Sequence, residues 1–413
     1  MDEATQKGLA TRQRRWEARN EKRRLKALEE EAKAAKIKAE DEKYMKEAIK
    51  QAKKAAKIGD VPIGCVLVKD GQIIARGYNR RNADKTVLSH AEVTSIKKAC
   101  KKEGDWRLED CTLYVTLEPC CHQGKQPPCV DAIIEAGIKR VVIGSEDPNP
   151  LVRGKGIKIL KEHGIAVTEH VLSEECRQLN EVFLHFIQTK RPFVVMKYAM
   201  TMDGKIATKT GASKWITEEA ARQHVAWQRH RYTAIMVGVG TVLADDPLLT
   251  CRVEGGENPI RIICDTSLQT PVTAQVVQTA NQIPTILATC CQDQERQRIY
   301  KKSGCQILQV HKKEGHVDLQ HLMKLLGEKK IDSILLEGGG TLNWAAISDG
   351  IVQKVQAYIA PKLFGGKDAK TAIEGEGIEI PSEAIRLKNS HIISLGDDVL
   401  IESEVEQDVH GYC

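Results

Sequence analysis

His90-Ala91-Glu92, and further on Thr116-Leu117-Glu118-Pro119-Cys120-Cys121-His122-Gln123-Gly124-Lys125-Gln126-Pro127-Pro128-Cys129, decide how this chain is read. One imidazole and two thiols from separate stretches make three ligands for a catalytic zinc, which keeps its fourth position open for water. The ion lowers the pKa of that water toward neutrality, and a carboxylate outside the coordination sphere moves the protons. His90, Cys120 and Cys129 are therefore read as metal ligands and Glu92 as the proton shuttle, a set suited to hydrolytic deamination. Cys121 competes with Cys120; adjacent cysteines rarely both reach one ion without backbone strain, and Cys120 is preferred. A lone His-x-Glu reads as the start of a surface helix, and the second motif at the end of an apolar strand removes that reading.

The pattern around these motifs sets the architecture. From Asp41 the residues Tyr44, Met45, Ala48, Ile49, Ala52, Ala55 and Ala56 recur at helical spacing. Two β-rich runs, 62–68 and 72–75, are joined by Lys69-Asp70-Gly71, a hairpin signal. A helix opening at His90, a strand over 112–117, a helix from about Pro128 and a strand over 140–144 follow. This alternation predicts an α/β layered sandwich, with both ligand groups at helix N-termini, where N–H groups and dipoles favour negative charge. After a polar stretch at 188–191 the alternation resumes, with strands near 192–198, 234–237, 260–264, 285–288, 306–310 and 333–336, the last leading into Gly338-Gly339-Gly340. A strand running through glycines into a helix is a plausible phosphate cradle, and equally a plain tight turn. The expected division is a charged helical or disordered extension (1–40), a deaminase domain (41–165), a helical linker (166–191), a second α/β domain (192–405) and a tail (406–413).

With 413 residues the chain is long for one core. Its net charge of +6 is concentrated, since residues 1–40 hold 12 Lys and Arg against 8 Asp and Glu. The body thus gives little electrostatic ground for nucleic-acid binding. The extension is read as a solvated helix with few large apolar residues (Trp16, Leu25, Leu28, Ile37), or alternatively as a basic arm touching RNA. Thirteen cysteines without Cys-x-x-Cys spacing, behind a polar N-terminus, point to a reducing cytoplasm. No apolar run approaches the roughly 18 residues of a bilayer span, so no membrane association is expected.

Pro119-Cys120, His122-Gln-Gly-Lys125, Pro127-Pro128-Cys129 and Asp147-Pro148-Asn149-Pro150 resemble the bifunctional deaminase/reductases of riboflavin biosynthesis. The resemblance implies that His122, Lys125, Asp147 and Asn149 contact a pyrimidine and its ribose phosphate; taken alone, Asp147-Pro-Asn-Pro also reads as a turn. Residues 41–119 are more similar to tRNA adenosine deaminases, through Gly59-Asp60-Val61-Pro62-Ile63-Gly64, Gly77-Tyr78-Asn79 and Gly104-Asp105-Trp106-Arg107-Leu108. Those enzymes carry Pro-Cys-x-x-Cys, whereas the third position after Cys120 is Gln123. The zinc chemistry is common to both families, and the resemblance implies a cytidine-deaminase-like three-layer α/β/α fold for the first domain. Asn79 is read either as a contact to the substrate base or as a turn cap.

The second half resembles the reductase domain of the same riboflavin family over about 192–405. The matching stretches are Lys197-Tyr-Ala-Met-Thr-Met-Asp203-Gly204-Lys205, Ser213-Lys-Trp215-Ile-Thr217, Gly240-Thr241-Val-Leu-Ala-Asp245-Asp246-Pro247-Leu248-Leu249-Thr250 and Leu336-Glu337-Gly-Gly-Gly-Thr341-Leu342. The resemblance implies a dihydrofolate-reductase-like α/β domain that binds NADPH through Ala199, Trp215, Thr241, Asp245, Thr266, Gly339, Gly340, Thr341, Leu342 and Asn343. Ser213, Arg229, Leu249, Arg252 and Glu337 would hold the substrate, the arginines being suited to its phosphate, while Lys197 and Asp203 orient the sugar or support the site.

The expected function is a zinc- and NADPH-dependent enzyme of riboflavin synthesis, acting as a homo-oligomer on a small pyrimidine ribose phosphate. Two rivals stand beside it. One is a tRNA adenosine deaminase fused to a passenger reductase, with RNA as partner. The other is a zinc- and nucleotide-binding regulator without turnover, which the presence of Glu92 opposes.

Overall fold

The computed structural model describes residues 3–86, 88–122, 127–149 and 152–406. The chain divides between Leu184 and His185 into two units, each built on its own sheet.

The first unit runs α1 (Glu3–Lys57), β1 (Gly64–Lys69), β2 (Gln72–Tyr78), α2 (Ala91–Glu103), β3 (Cys111–Leu117), α3 (Cys129–Glu135), β4 (Arg140–Ser145), α4 (Lys155–Glu162), β5 (Ala166–Thr168) and α5 (Ser173–Leu179). Its strand order is β2-β1-β3-β4-β5, with the first two pairings antiparallel and the last two parallel. The hairpin turns on Asp70 and Gly71, both with positive φ (47° and 73°), as a two-residue loop demands. Strand alternation then creates two apolar faces. Cys65, Leu67, Leu113, Val115, Val141 and Ile143 pack with Ile96, Ile133 and Leu160 of α2, α3 and α4. Val66, Val68, Tyr114 and Val142 pack with Tyr44, Met45, Ala48 and Ile49 of α1 and with Cys176 of α5. The result is the three-layer α/β/α arrangement expected from the sequence.

Helix α1 is one continuous helix of 55 residues, with no break where the sequence pattern changes. Trp16, Leu25, Leu28 and Ile37 are exposed, in keeping with an extension that has little to pack against. Asp41 marks the point where the helix joins the domain. Its buried carboxylate takes a forked pair from Arg140 (2.8 and 2.7 Å) and a hydrogen bond from the Tyr114 hydroxyl (3.0 Å), tying α1 to β3 and β4.

Helix α2, which carries Glu92, lies unusually close to β2. A Cβ on Gly77 would sit 2.2 Å from the Ala91 carbonyl oxygen and 2.7 Å from the Ser95 nitrogen. Main chain cannot yield as a side-chain tip does, so Gly77→Ala is expected to cost about 3 kcal/mol, the upper end for overpacking. Thermal or urea unfolding checks this.

Helix α6 (Glu181–Thr189) runs across the division. The second unit continues with β6 (Phe193–Thr201), α7 (Glu219–Arg231), β7 (Ala234–Gly238), α8 (Val239–Asp245), β8 (Ile260–Cys264), α9 (Gln275–Gln278), β9 (Thr285–Thr289), α10 (Gln294–Lys302) and β10 (Gln306–Gln309). A small hairpin of β11 (Lys312–Lys313) and β12 (His316–Val317) precedes α11 (Leu319–Glu328), β13 (Ser333–Leu336), α12 (Gly340–Ser348), β14 (Lys354–Ala360), β15 (Leu387–Leu395) and β16 (Asp398–Val405). The sheet order is β10-β9-β8-β7-β13-β6-β14-β16-β15, parallel as far as β14 and antiparallel beyond it. From β6 the chain winds outward to β10 and then returns to place β13 between β7 and β6. In such sheets the crevice at the carboxyl ends of the strands, where the winding reverses, is where ligands bind. Ala234, Met236, Ile262 and Ile286 face Leu322 and Leu326 of α11; Ile235, Val237, Ile263 and Leu287 face Val276, Val277 and Tyr300. Among the described residues no helix is long and apolar enough to cross a membrane.

Candidate active sites

In the first unit His90 ends the loop before α2, Cys120 lies just past β3, and Cys129 is the first residue of α3. The loop ahead of His90 is held by Asp60, whose buried carboxylate accepts from the Asn82 and Ala83 main-chain nitrogens. His90 Nδ1 stands 3.1 Å from Cys129 Sγ and 3.8 Å from Cys120 Sγ. All three ligand atoms lie within 4.8 Å of one another, separations that two zinc bonds of roughly 2.0–2.3 Å span. The Cys129 N–H donates to Cys120 Sγ at 3.4 Å. A hydrogen bond from Cys129 draws the Cys120 thiol down to about 4 against the effect of burial, and the shared proton pushes Cys129 up. One imidazole and two thiols this close together are a donor set that fits zinc. Cys121 is not in the cluster; it packs against the apolar core.

Glu92, in the first turn of α2, is only 4% exposed. Burial raises its pKa above the ordinary carboxylate range, the His90 charge opposes this and Cys120 adds to it. Asp147 is buried beyond β4, accepts from the Asn149 N–H at 2.9 Å and lies within electrostatic reach of Cys120 and His122. His122 is exposed, and Lys125 lies outside the described residues. Asn79 is buried, and its Oδ1 has no hydrogen-bond partner among the described residues.

In the second unit Lys197 on β6, Arg229 on α7 and Glu337 after β13 meet. Arg229 grips both Glu337 oxygens (Nε to Oε1 2.7 Å, Nη2 to Oε2 2.9 Å), and its Nη1 donates to the Thr250 carbonyl at 3.1 Å. Lys197 Nζ is 3.6 Å from Glu337 Oε2. The arginine fork expected to face a phosphate is therefore occupied by Glu337, whereas Arg252 is exposed. Burial alone would push Glu337 up, but the Arg229 and Lys197 charges outweigh it and hold it at about 2; burial pulls Lys197 down.

Around this centre Leu249 and Arg252 take positive φ (55° and 61°), and Ser213 Oγ reaches Asp245 at 3.5 Å. Thr241 and Asp245 ride on α8 beyond β7, Thr266 follows β8, and Ala199 lies on β6. Trp215 is exposed with the Arg222 guanidinium over its ring at 4.9 Å. Helix α12 starts at Gly340 with no side chain capping Gly339, and a Cβ on Gly339 would meet nothing within 4 Å. One residue on, a Cβ on Gly340 would meet Glu374 Cγ at 2.5 Å and the Thr371 carbonyl oxygen at 2.8 Å, so the open side of the glycine turn is at Gly339. Leu342 packs on the core, and Asn343 is turned inward, its Nδ2 donating to the Ala372 carbonyl at 2.8 Å. Tyr358 was not among the expected site residues, nor β14 among the expected strands, yet its ring lies 5.5 Å from Lys197 Nζ and its hydroxyl 2.7 Å from His224 Nδ1.

Comparison with known proteins decides the family. Residues 192–401 match the RibD C-terminal domain, and residues 38–145 match the cytidine and deoxycytidylate deaminase zinc-binding region. A riboflavin biosynthesis protein RibD of Actinobacillus pleuropneumoniae is 49% identical over 363 residues, 87% of this chain and 94% of the relative. The chain belongs to the RibD family. The Escherichia coli member is 36% identical over 377 residues, covering 88% of this chain and 98% of its own length. Among solved structures, the diaminohydroxyphosphoribosylaminopyrimidine deaminase/5-amino-6-(5-phosphoribosylamino)uracil reductase of Thermotoga maritima matches with a TM-score of 0.77 and 36% identity over 89% of this chain and 99% of that one. RibD relatives thus match across both units, including the stretch before Cys120 that resembles tRNA deaminases.

Proposed function

We propose that the chain acts twice on one riboflavin precursor. The first unit hydrolyses the 2-amino group of 2,5-diamino-6-(5-phosphoribosylamino)pyrimidin-4-one, releasing ammonia. The second reduces the ribosyl group to ribityl, giving 5-amino-6-(5-phosphoribitylamino)uracil. The observation that carries this reading is the buried Glu92 beside the His90, Cys120 and Cys129 cluster, in one chain with a reductase unit of the RibD family.

His90, Cys120 and Cys129 would hold zinc, which when bound makes a water molecule acidic enough to ionise near neutrality. Glu92 takes a proton from the attacking water and returns it to the departing amine. Its pKa, raised by burial, makes it a better base toward the attacking water than an exposed glutamate would be. Asp147, Asn149, His122 and Lys125 are assigned to the pyrimidine and its ribose phosphate. In the second unit NADPH, when bound, supplies hydride. Its phosphates are assigned to the glycine turn at the start of α12, with Trp215, Thr241, Asp245, Thr266 and Ala199 around it. Glu337 keeps Lys197 and Arg229 in fixed positions beside the sugar, while Ser213, Leu249 and Arg252 complete the substrate side. The cytoplasm is the assigned compartment. A homo-oligomer is supported by β15, a sheet edge that leaves Leu387, Ile392 and Ile393 exposed.

Incubating the chain with the diaminopyrimidine phosphate and NADPH tests the order of steps. Ammonia release should come first and be matched one for one by NADPH oxidation; oxidation without ammonia would contradict the order.

A further inference from the structure

Glu118 has no part in the chemistry above, yet it is one of the most deeply placed carboxylates of the first unit, 3% exposed. It extends β3, its N–H bonding to the Ser145 carbonyl at 2.9 Å, and stands two residues before Cys120. Among the described residues its side chain accepts three hydrogen bonds, all from main-chain nitrogens at Asp147 and the start of α4. Oε2 accepts from Asp147 at 3.3 Å and Gly154 at 3.0 Å, and Oε1 accepts from Ile157 at 3.3 Å. Helix α4 has no side-chain cap from its own Gly154, so Glu118 satisfies the start of that helix from another strand. A separate contact brings the same pieces together: a Cβ on Gly156 would lie 2.4 Å from the Pro119 carbonyl oxygen. The first turn of α4 therefore rests against the peptide that leads into Cys120.

We infer that Glu118 is a positioning residue of the deaminase: its carboxylate fastens Asp147 and the first turn of α4 to the strand end that delivers Cys120, and thereby sets where Asp147 meets the substrate. The inference rests on the reading of Asp147 as a substrate contact. Among the described residues no hydrogen bond joins the Glu118 side chain to His90, Cys120 or Cys129; it acts through the main chain of Asp147. Because Asp147 governs binding rather than proton transfer, loss of the anchor should appear in KM and leave kcat largely intact.

Glu118→Gln keeps the shape but turns one acceptor into a donor facing an N–H. In the zinc-loaded full chain, KM for the pyrimidine ribose phosphate should rise about 10-fold or more, the worth of one charge-assisted hydrogen bond. Meanwhile kcat should stay within about 3-fold, with one zinc per chain and unchanged reduction by the second unit. Asp147→Asn should raise KM by itself, and the double variant should be no worse than the poorer single, as for two residues on one path. An unchanged KM in Glu118→Gln overturns the inference, as does a loss confined to kcat or accompanied by zinc release, or multiplied effects in the double variant. An unchanged KM in Asp147→Asn alone refutes the substrate contact instead, which separates the two failures. If Glu118→Gln does not fold, Glu118→Asp, shorter by one methylene, is measured with the same expected rise and the same overturning result.

Discussion

Replacing Glu92 by Gln is expected to lower ammonia release by at least 10²–10⁴-fold, the usual range for a positioned general acid–base group, while the chain keeps one zinc. Glutamine fills the same volume between α2 and the ligands but neither accepts nor returns a proton. Glu92 is not among the three clustered ligands, so the metal should stay. The chain should also unfold at the same temperature or slightly higher, because burial disfavours the charged form of Glu92. Activity, metal content by elemental analysis and thermal unfolding on one preparation check all three. Loss of zinc along with activity would mean that Glu92 is a ligand.

Glu337→Gln should have an effect of similar size on the second unit, expressed first as stability. The Glu337, Arg229 and Lys197 side chains are 12%, 15% and 12% exposed. Removing the one anion leaves two buried cations side by side, a change that costs about 3–5 kcal/mol. Reduction by NADPH should fall at least 100-fold because Lys197 and Arg229 lose their common anchor, whereas deamination should persist. The same group predicts a pH dependence. Glu337 titrates at about 2 in the folded chain, below the ~4.3 of an unfolded glutamate. Its contribution, about 3 kcal/mol by proton linkage, is complete above that unfolded value and is lost as pH falls toward 2. Denaturant unfolding of wild type should lose stability across that window, and Glu337→Gln should flatten the slope.

What the sequence disclosed followed the physics of each element. Residues 65–68 alternate between two apolar faces, and Asp70-Gly71 allows only a tight hairpin, so the first sheet was legible. The zinc ligands were legible because their residue types are costly to place together without a metal. Helix α1 was read in two pieces because its first forty residues lack an apolar face; pairs such as Lys26 and Glu30, 3.8 Å apart, carry it instead. Strands β14, β15 and β16 were not foreseen; for β15 the reason is that Leu387–Leu395 is exposed on both faces and shows no in–out alternation. Partnerships distant along the chain were invisible too. Arg229 looked like a phosphate ligand until Glu337, 108 residues on, was seen to occupy its fork. Glu118 read as part of a Pro-Cys motif, and only its three N–H partners give it a separate task.

The central claim is that one chain deaminates and then reduces a riboflavin precursor, although residues 41–119 resemble tRNA deaminases. The most direct test offers the purified chain 2,5-diamino-6-(5-phosphoribosylamino)pyrimidin-4-one and an anticodon stem-loop carrying adenosine, side by side. Ammonia from the pyrimidine with no inosine in the RNA is the predicted result; inosine without pyrimidine turnover would contradict it.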